Sequence, residues 1–273
     1  MKSLMQIAGL LAATVLMVAD ASWGVAPGSV AGFNPEQSVP VTGSQPAPAD
    51  QPKPLTLEQR ADVFMARKNY GDAADYYYQA LKQSSFKNPI VWNKLGIAFQ
   101  QGSNFHNAHR AYEAAIRNDG QFADAWNNQG TVFFMEKKYA KSVKYYQRAI
   151  GLKGDAASYH MNLGTSYYHL KKFKLAVEEY RAALGIDPNV LTHESSVGTV
   201  VQAGGADVEY YFYLAKAFAA VGNAPEAVRY LRHALEEGLK DPQRIGEDPD
   251  FKKISQYPAF VELMQNPPVA IKN

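Results

Sequence analysis

The sequence predicts an all-α fold, a solenoid of about five helix–turn–helix units closed by a C-terminal helical cap, and three observations predict it. First, "VWNKLGIAFQ" from Val91 nearly recurs as "AWNNQGTVFF" from Ala125 and as "YHMNLGTSYY" from Tyr159, each time displaced by 34 residues. Second, the apolar and small residues of these stretches fall at steps of three and four (Trp92, Leu95, Gly96, Phe99), the spacing of one face of a helix. Third, a second set follows each: Phe105, Ala108, Tyr112 and Ala115 recur as Tyr139, Ser142, Tyr146, Ala149 and as Phe173, Ala176, Tyr180, Ala183. Two amphipathic helices per unit, joined by turns such as "QQGSNF", account for all of this.

The chain opens with Lys2 ahead of a mostly apolar run from Ile7 to Ala19, and the small residues Ala19 and Ala21 flank Asp20. This is the pattern of a secretory signal peptide over residues 1–21, cleaved near Ala21, and it implies a periplasmic or secreted protein. The alternative is an uncleaved membrane anchor, but a spanning helix needs about 17 to 25 apolar residues and Asp20 closes the run early. Residues 22–54 hold seven of the fifteen prolines and few core-forming side chains, so they read as a disordered, Pro-rich linker.

The repeats occupy residues 55–188 as units one to four. Unit one (Ala61, Phe64, Tyr70, Ala73, Tyr77, Ala80) lies 35 residues before its counterpart, with the extra residue placed in "QSSFKNP". Unit five (Leu214, Ala215, Phe218, Ala227, Leu231, Ala234) covers residues 208–241, after an inserted loop at 189–207 that contains the β-prone "GTVVQ". That insert reads either as a tolerated loop or as a flap over a groove. In the tail, Asp248-Pro249 offers a helix cap followed by proline, and Phe251, Ile254, Phe260, Leu263 and Met264 are expected to cover the last unit within residues 242–266.

The pattern Trp92-x2-Leu95-Gly96-x2-Phe99, then Ala108-x3-Tyr112, resembles the tetratricopeptide repeat. With its insert and closing tail, the chain also resembles bacterial envelope repeat proteins without assigned chemistry. The resemblance implies a right-handed superhelix whose concave groove is lined by the first helix of each unit. In such a groove the candidate peptide-binding residues are Asn93, Lys94, Asn127, Asn128, Thr131, Asn162 and Thr165, with Ile97 and Met161 beside them. An asparagine amide both donates and accepts, which suits an extended peptide backbone; the same residues also read as ordinary solvated helix surface. Some family members clamp a C-terminal carboxylate with cations here. Lys94 is present, but Asn127 and Met161 stand where further cations belong, so no such clamp is expected.

Composition narrows the chemistry. There is no cysteine, the formal charge is +2, and no run of five like charges occurs, so nucleic acid is not an expected partner. No histidine pair has the HExxH spacing; His106 and His109 share a helical face without a third ligand, and surface histidines are the plainer reading. "QAGGAD" lacks a phosphate-loop pattern, no serine sits in a G-x-S-x-G elbow, and Glu178-Glu179 and Glu236-Glu237 point to different helix faces. No catalytic residue, cofactor or metal is therefore assigned. The expected function is a non-catalytic envelope scaffold binding a protein or extended peptide and not itself spanning the membrane. The alternatives are an assembly or chaperone-like factor that holds unfolded clients and, further off, an enzyme with a site under the insert.

Overall fold

A computed structural model describes residues 54–191 and 207–271, all within one compact unit, Lys53–Asn273. The predicted signal segment, the Pro-rich linker and most of the insert, including "GTVVQ", lie outside the described residues. The described residues are all-helical, with no strand among them. Five helix pairs follow one another: α1 (Leu57–Ala66) with α2 (Tyr70–Gln83), α3 (Pro89–Gln101) with α4 (Phe105–Asn118), and α5 (Ala123–Met135) with α6 (Tyr139–Leu152). Then come α7 (Ala157–His169) with α8 (Phe173–Ile186), and α9 (Val208–Ala220) with α10 (Ala224–Glu236). Three short helices end the chain: α11 (Arg244–Glu247), α12 (Pro249–Lys252) and α13 (Pro258–Gln265).

From α1 to α10 each helix packs on the next along the chain, and among the first helices α5 also touches α3 and α7. No contact of similar extent joins α4 to α6 or α6 to α8 among the described residues. The array therefore closes on the side of its first helices, which form the inner face.

The pairs are held by small-to-large packing. A Cβ added at Gly96, Gly130 or Gly164 would lie 2.5, 2.8 or 2.6 Å from the ring of the buried tyrosine sixteen residues on, Tyr112, Tyr146 or Tyr180. Only glycine admits a tyrosine ring that close. The last pair solves the same contact with Ala215 and the smaller Leu231, both fully buried. In the tail, Phe251, Ile254, Phe260 and Leu263 are buried in one cluster with the last repeat and Met264 packs against it, so the apolar end of the array is covered.

Turns inside the pairs repeat as faithfully as the helices. Lys68, Ser103, Lys137, Lys171 and Gly222 hold the equivalent left-handed position, with φ of 58, 58, 61, 59 and 81°. At each, the next residue's N–H returns to the carbonyl five residues back, as Asn104 does to Phe99 at 2.8 Å, the hydrogen bond of a glycine-type helix stop. Only the last unit uses glycine. Ser103→Gly is expected to raise the thermal midpoint modestly, by relief of up to about 1 kcal/mol of left-handed strain; differential scanning calorimetry checks it. The extra residue of unit one is taken up at Ser85 and Phe86, which are both left-handed (φ 52 and 61°).

Candidate functional site

The inner face is built from equivalent positions of successive first helices. Reading along it, Glu58 and Gln59 of α1 correspond to Asn93 and Lys94, Asn127 and Asn128, Met161 and Asn162, and finally Phe212 and Tyr213 of α9. The face passes from charged through amide to aromatic.

The amides do not stand as free hydrogen-bonding groups in an open groove, as the sequence led us to expect. Asn127, Asn162, Thr131 and Thr165 are 0 % exposed, Asn128 is 2 % and Asn93 is 7 %. Neighbouring first helices lie close enough for each asparagine to reach the next. Asn128 Nδ2 donates to Asn93 Oδ1 at 3.0 Å, Asn127 Nδ2 to Asn128 Oδ1 at 3.2 Å, and Asn162 Nδ2 to Asn127 Oδ1 at 2.9 Å. An amide ladder thus ties units two, three and four together. The threonines are engaged as well: Thr131 donates to its own helix at Asn127 O and accepts from Tyr146 Oη, while Thr165 does the same with Met161 O and Tyr180 Oη. The sequence carried a signal for the ladder, since its partners stand 35 residues apart, one more than the repeat.

Lys94 makes the corresponding link between units one and two with charge. Its ammonium lies 2.9 Å from Glu58 Oε1 and 2.9 Å from Asp62 Oδ1. Burial lowers the lysine pKa, but the hydrogen bonds its ammonium donates to the two carboxylates, with their charge, outweigh it and raise the value above the ordinary one. Tyr77 Oη also donates to Asp62, and its own ionisation is pushed up, by burial first and Asp62 second. Unlike the amides, this charged cluster is partly exposed.

Near the start of α3, α5 and α7 one aromatic nitrogen recurs. Trp92 Nε1 donates to Phe86 O and Trp126 Nε1 to Gly120 O, each six residues back. Trp126 is therefore a half-buried side chain lying against Tyr145 and beneath Arg148, not a core side chain, and its loss leaves less of a cavity than full burial implies. His160 keeps the link, with Nε2 3.2 Å from Gly154 O, and adds Nδ1 2.7 Å from Glu179 Oε2. Both ring nitrogens face acceptors, and only the imidazolium donates from both. The Glu179 hydrogen bond accordingly raises the His160 pKa from its ordinary 6.5, against the opposing effect of burial. A raised folded-state pKa means the contact stabilises fully below about pH 6.5 and loses its contribution as pH rises through the folded value. The melting temperature of the native chain is expected to fall more steeply above neutrality than that of His160→Trp, measured across a pH series. His109, meanwhile, is held between Gln129 and Glu136 at 2.9 and 3.0 Å, whereas His106 is exposed.

Stacked helix pairs with a 34-residue register and a shared inner face define a helical-repeat protein. The family model described as Tetratricopeptide repeat matches residues 93–157 and 138–190, the stretch that folds as the helix pairs from α3 to α8. Among solved structures, one crystal structure of MamA is 23 % identical, with 64 % of this chain and 92 % of that chain covered and a TM-score of 0.47. MamA from Desulfovibrio magneticus RS-1, residues 41 to end, is 14 % identical over 66 % of this chain and 92 % of that one, with a TM-score of 0.48. YrrB, a tetratricopeptide-repeat protein with an unusual peptide-binding site, is 17 % identical over 66 % and 83 %, with a TM-score of 0.45. No curated protein matches the chain in sequence.

Proposed function

We propose that the chain is a non-catalytic scaffold of the cell envelope that holds a protein or an extended peptide along the inner face of its repeats. Tetratricopeptide arrays are in general non-catalytic scaffolds for protein interaction, and the family match supports that much. The finer reading is carried by one observation: equivalent positions of five first helices make up the inner face, with a partly exposed charged cluster (Glu58, Asp62, Lys94) at one end and the partly exposed Tyr213 at the other. Asn93, Asn127, Asn128, Thr131, Asn162 and Thr165 fix the spacing of that face. For their amides to read a backbone, their mutual bonds must be exchanged for bonds to the partner. The envelope assignment rests on Lys2, the apolar run to Ala19 and the small residues about Asp20.

Photo-crosslinking tests the face directly. A photoreactive residue at Ile97 of the inner face is expected to trap a stoichiometric partner in envelope extract, whereas one at Lys144 on α6 does not. Trapping at Lys144 alone overturns the inner-face reading; a broad mixture of unfolded clients at Ile97 favours the chaperone-like alternative. Amino-terminal sequencing after expression in a bacterium is expected to begin near Ser22, and an intact Met1 in the membrane pellet contradicts the cleaved leader.

A further inference from the structure

Charge is unevenly distributed along the chain. Residues 136–181 hold ten lysines and arginines and four acids, an excess of six, whereas the excess over the whole chain is two. No five-residue run of cations marks this in the sequence, because the lysines come in pairs and singles one repeat apart. Stacking gathers them: Lys137, Lys138 and Lys141 surround the turn into α6, Lys171, Lys172 and Lys174 surround the equivalent turn into α8, and all six are exposed. Lys138 pairs with Glu136 at 3.0 Å, and Lys141 lies over the Phe133 ring.

These lysines occupy places where they work against the fold. In units one, two and five the residue that starts the second helix is Asn69, Asn104 or Asn223, and its side chain caps the helix. In units three and four Lys138 and Lys172 stand there, and neither side chain makes a cap hydrogen bond. An ammonium has no acceptor to offer an N-terminal N–H and is repelled by the positive end of the helix dipole. Local rules broken at matching positions of adjacent units point to a role outside folding. Apolar side chains share the same edge: Met135, at the end of α5, and Leu175, in the first turn of α8, are 44 and 39 % exposed.

We propose that this turn edge of units three and four is a docking surface for an anionic lipid bilayer, on which the protein rests peripherally. Lysines on flexible stems with no shaped pocket suit a diffuse layer of headgroup charge better than a fixed ligand, and bidentate recognition would call for arginine at these places. Exposed Met135 and Leu175 among the lysines are what a headgroup boundary accommodates, and neither a nucleic acid backbone nor an acidic peptide requires them. The surface lies at the helix turns, so the inner face remains available.

Vesicle co-sedimentation of the full chain tests this, with phosphatidylcholine alone or mixed with phosphatidylglycerol. Binding is expected only to the anionic vesicles and is expected to weaken with salt. Lys138→Asn/Lys172→Asn is the decisive variant because it restores the caps. Its melting temperature should rise while its vesicle affinity falls at least tenfold, given about fivefold per lysine near such a surface. Met135→Ser/Leu175→Ser should also weaken binding, whereas Lys87→Asn, outside the edge, should not. Equal binding to neutral vesicles, unchanged affinity in the Asn variant, or retention on polyglutamate or DNA without retention on vesicles overturns the proposal.

Discussion

Replacing Asn127, Asn128 and Asn162 together by alanine is expected to destabilise the array by about 3 kcal/mol, a large share of a domain's margin. The substitution removes three buried hydrogen bonds, two of them between first helices, each contributing about 0.5–1.5 kcal/mol net, and leaves the buried Asn93 carbonyl oxygen without the amide it accepts from. Because the bonds join units two, three and four, the loss should appear as reduced cooperativity as well as a lower midpoint. A repeat array is a chain of unit stabilities and interfaces, and weakening the interfaces lets the units unfold separately. Urea denaturation followed by circular dichroism reads both. An unchanged curve would place these side chains back on an open surface.

Gly130→Ala is the second large effect. Its new methyl would sit 2.8 Å from the ring of Tyr146, which is fully buried and donates a hydrogen bond to Thr131, so neither ring nor helix moves without loss. Overpacking of this kind costs about 1–3 kcal/mol. The chain itself supplies the remedy, because its fifth unit pairs Ala215 with Leu231. Gly130→Ala with Tyr146→Leu should therefore be more stable than the sum of the two single changes implies, by at least about 1 kcal/mol in a double-mutant cycle. Strict additivity would mean that the glycine and the ring do not meet.

Most of the fold was legible in the sequence, and the candidate site was legible only in part. The repeat is written in side-chain size at fixed places, so Trp92, Gly96, Tyr112 and their counterparts located ten helices, and Phe251, Ile254, Phe260, Leu263 and Met264 located the cover. The condition of the inner-face side chains depends on how closely neighbouring first helices approach, a distance between units that no single repeat encodes. The amides were placed on the inner face, but their burial and mutual bonding were not foreseen. His160 was visible as a replacement for tryptophan, but its partner Glu179 stands on the other helix of the pair. The lysine edge was hidden for a related reason. It exists only once two turns 34 residues apart are set side by side.

The central claim is that inner-face amides bind one unit to the next, and a double-mutant cycle on Asn127 and Asn162 tests it most directly. Each single alanine variant, the pair and the native chain are unfolded in urea under one condition. The account predicts a coupling energy of about 0.5–1.5 kcal/mol between the two sites, the worth of the 2.9 Å bond between their side chains. Additive losses with no coupling would contradict it.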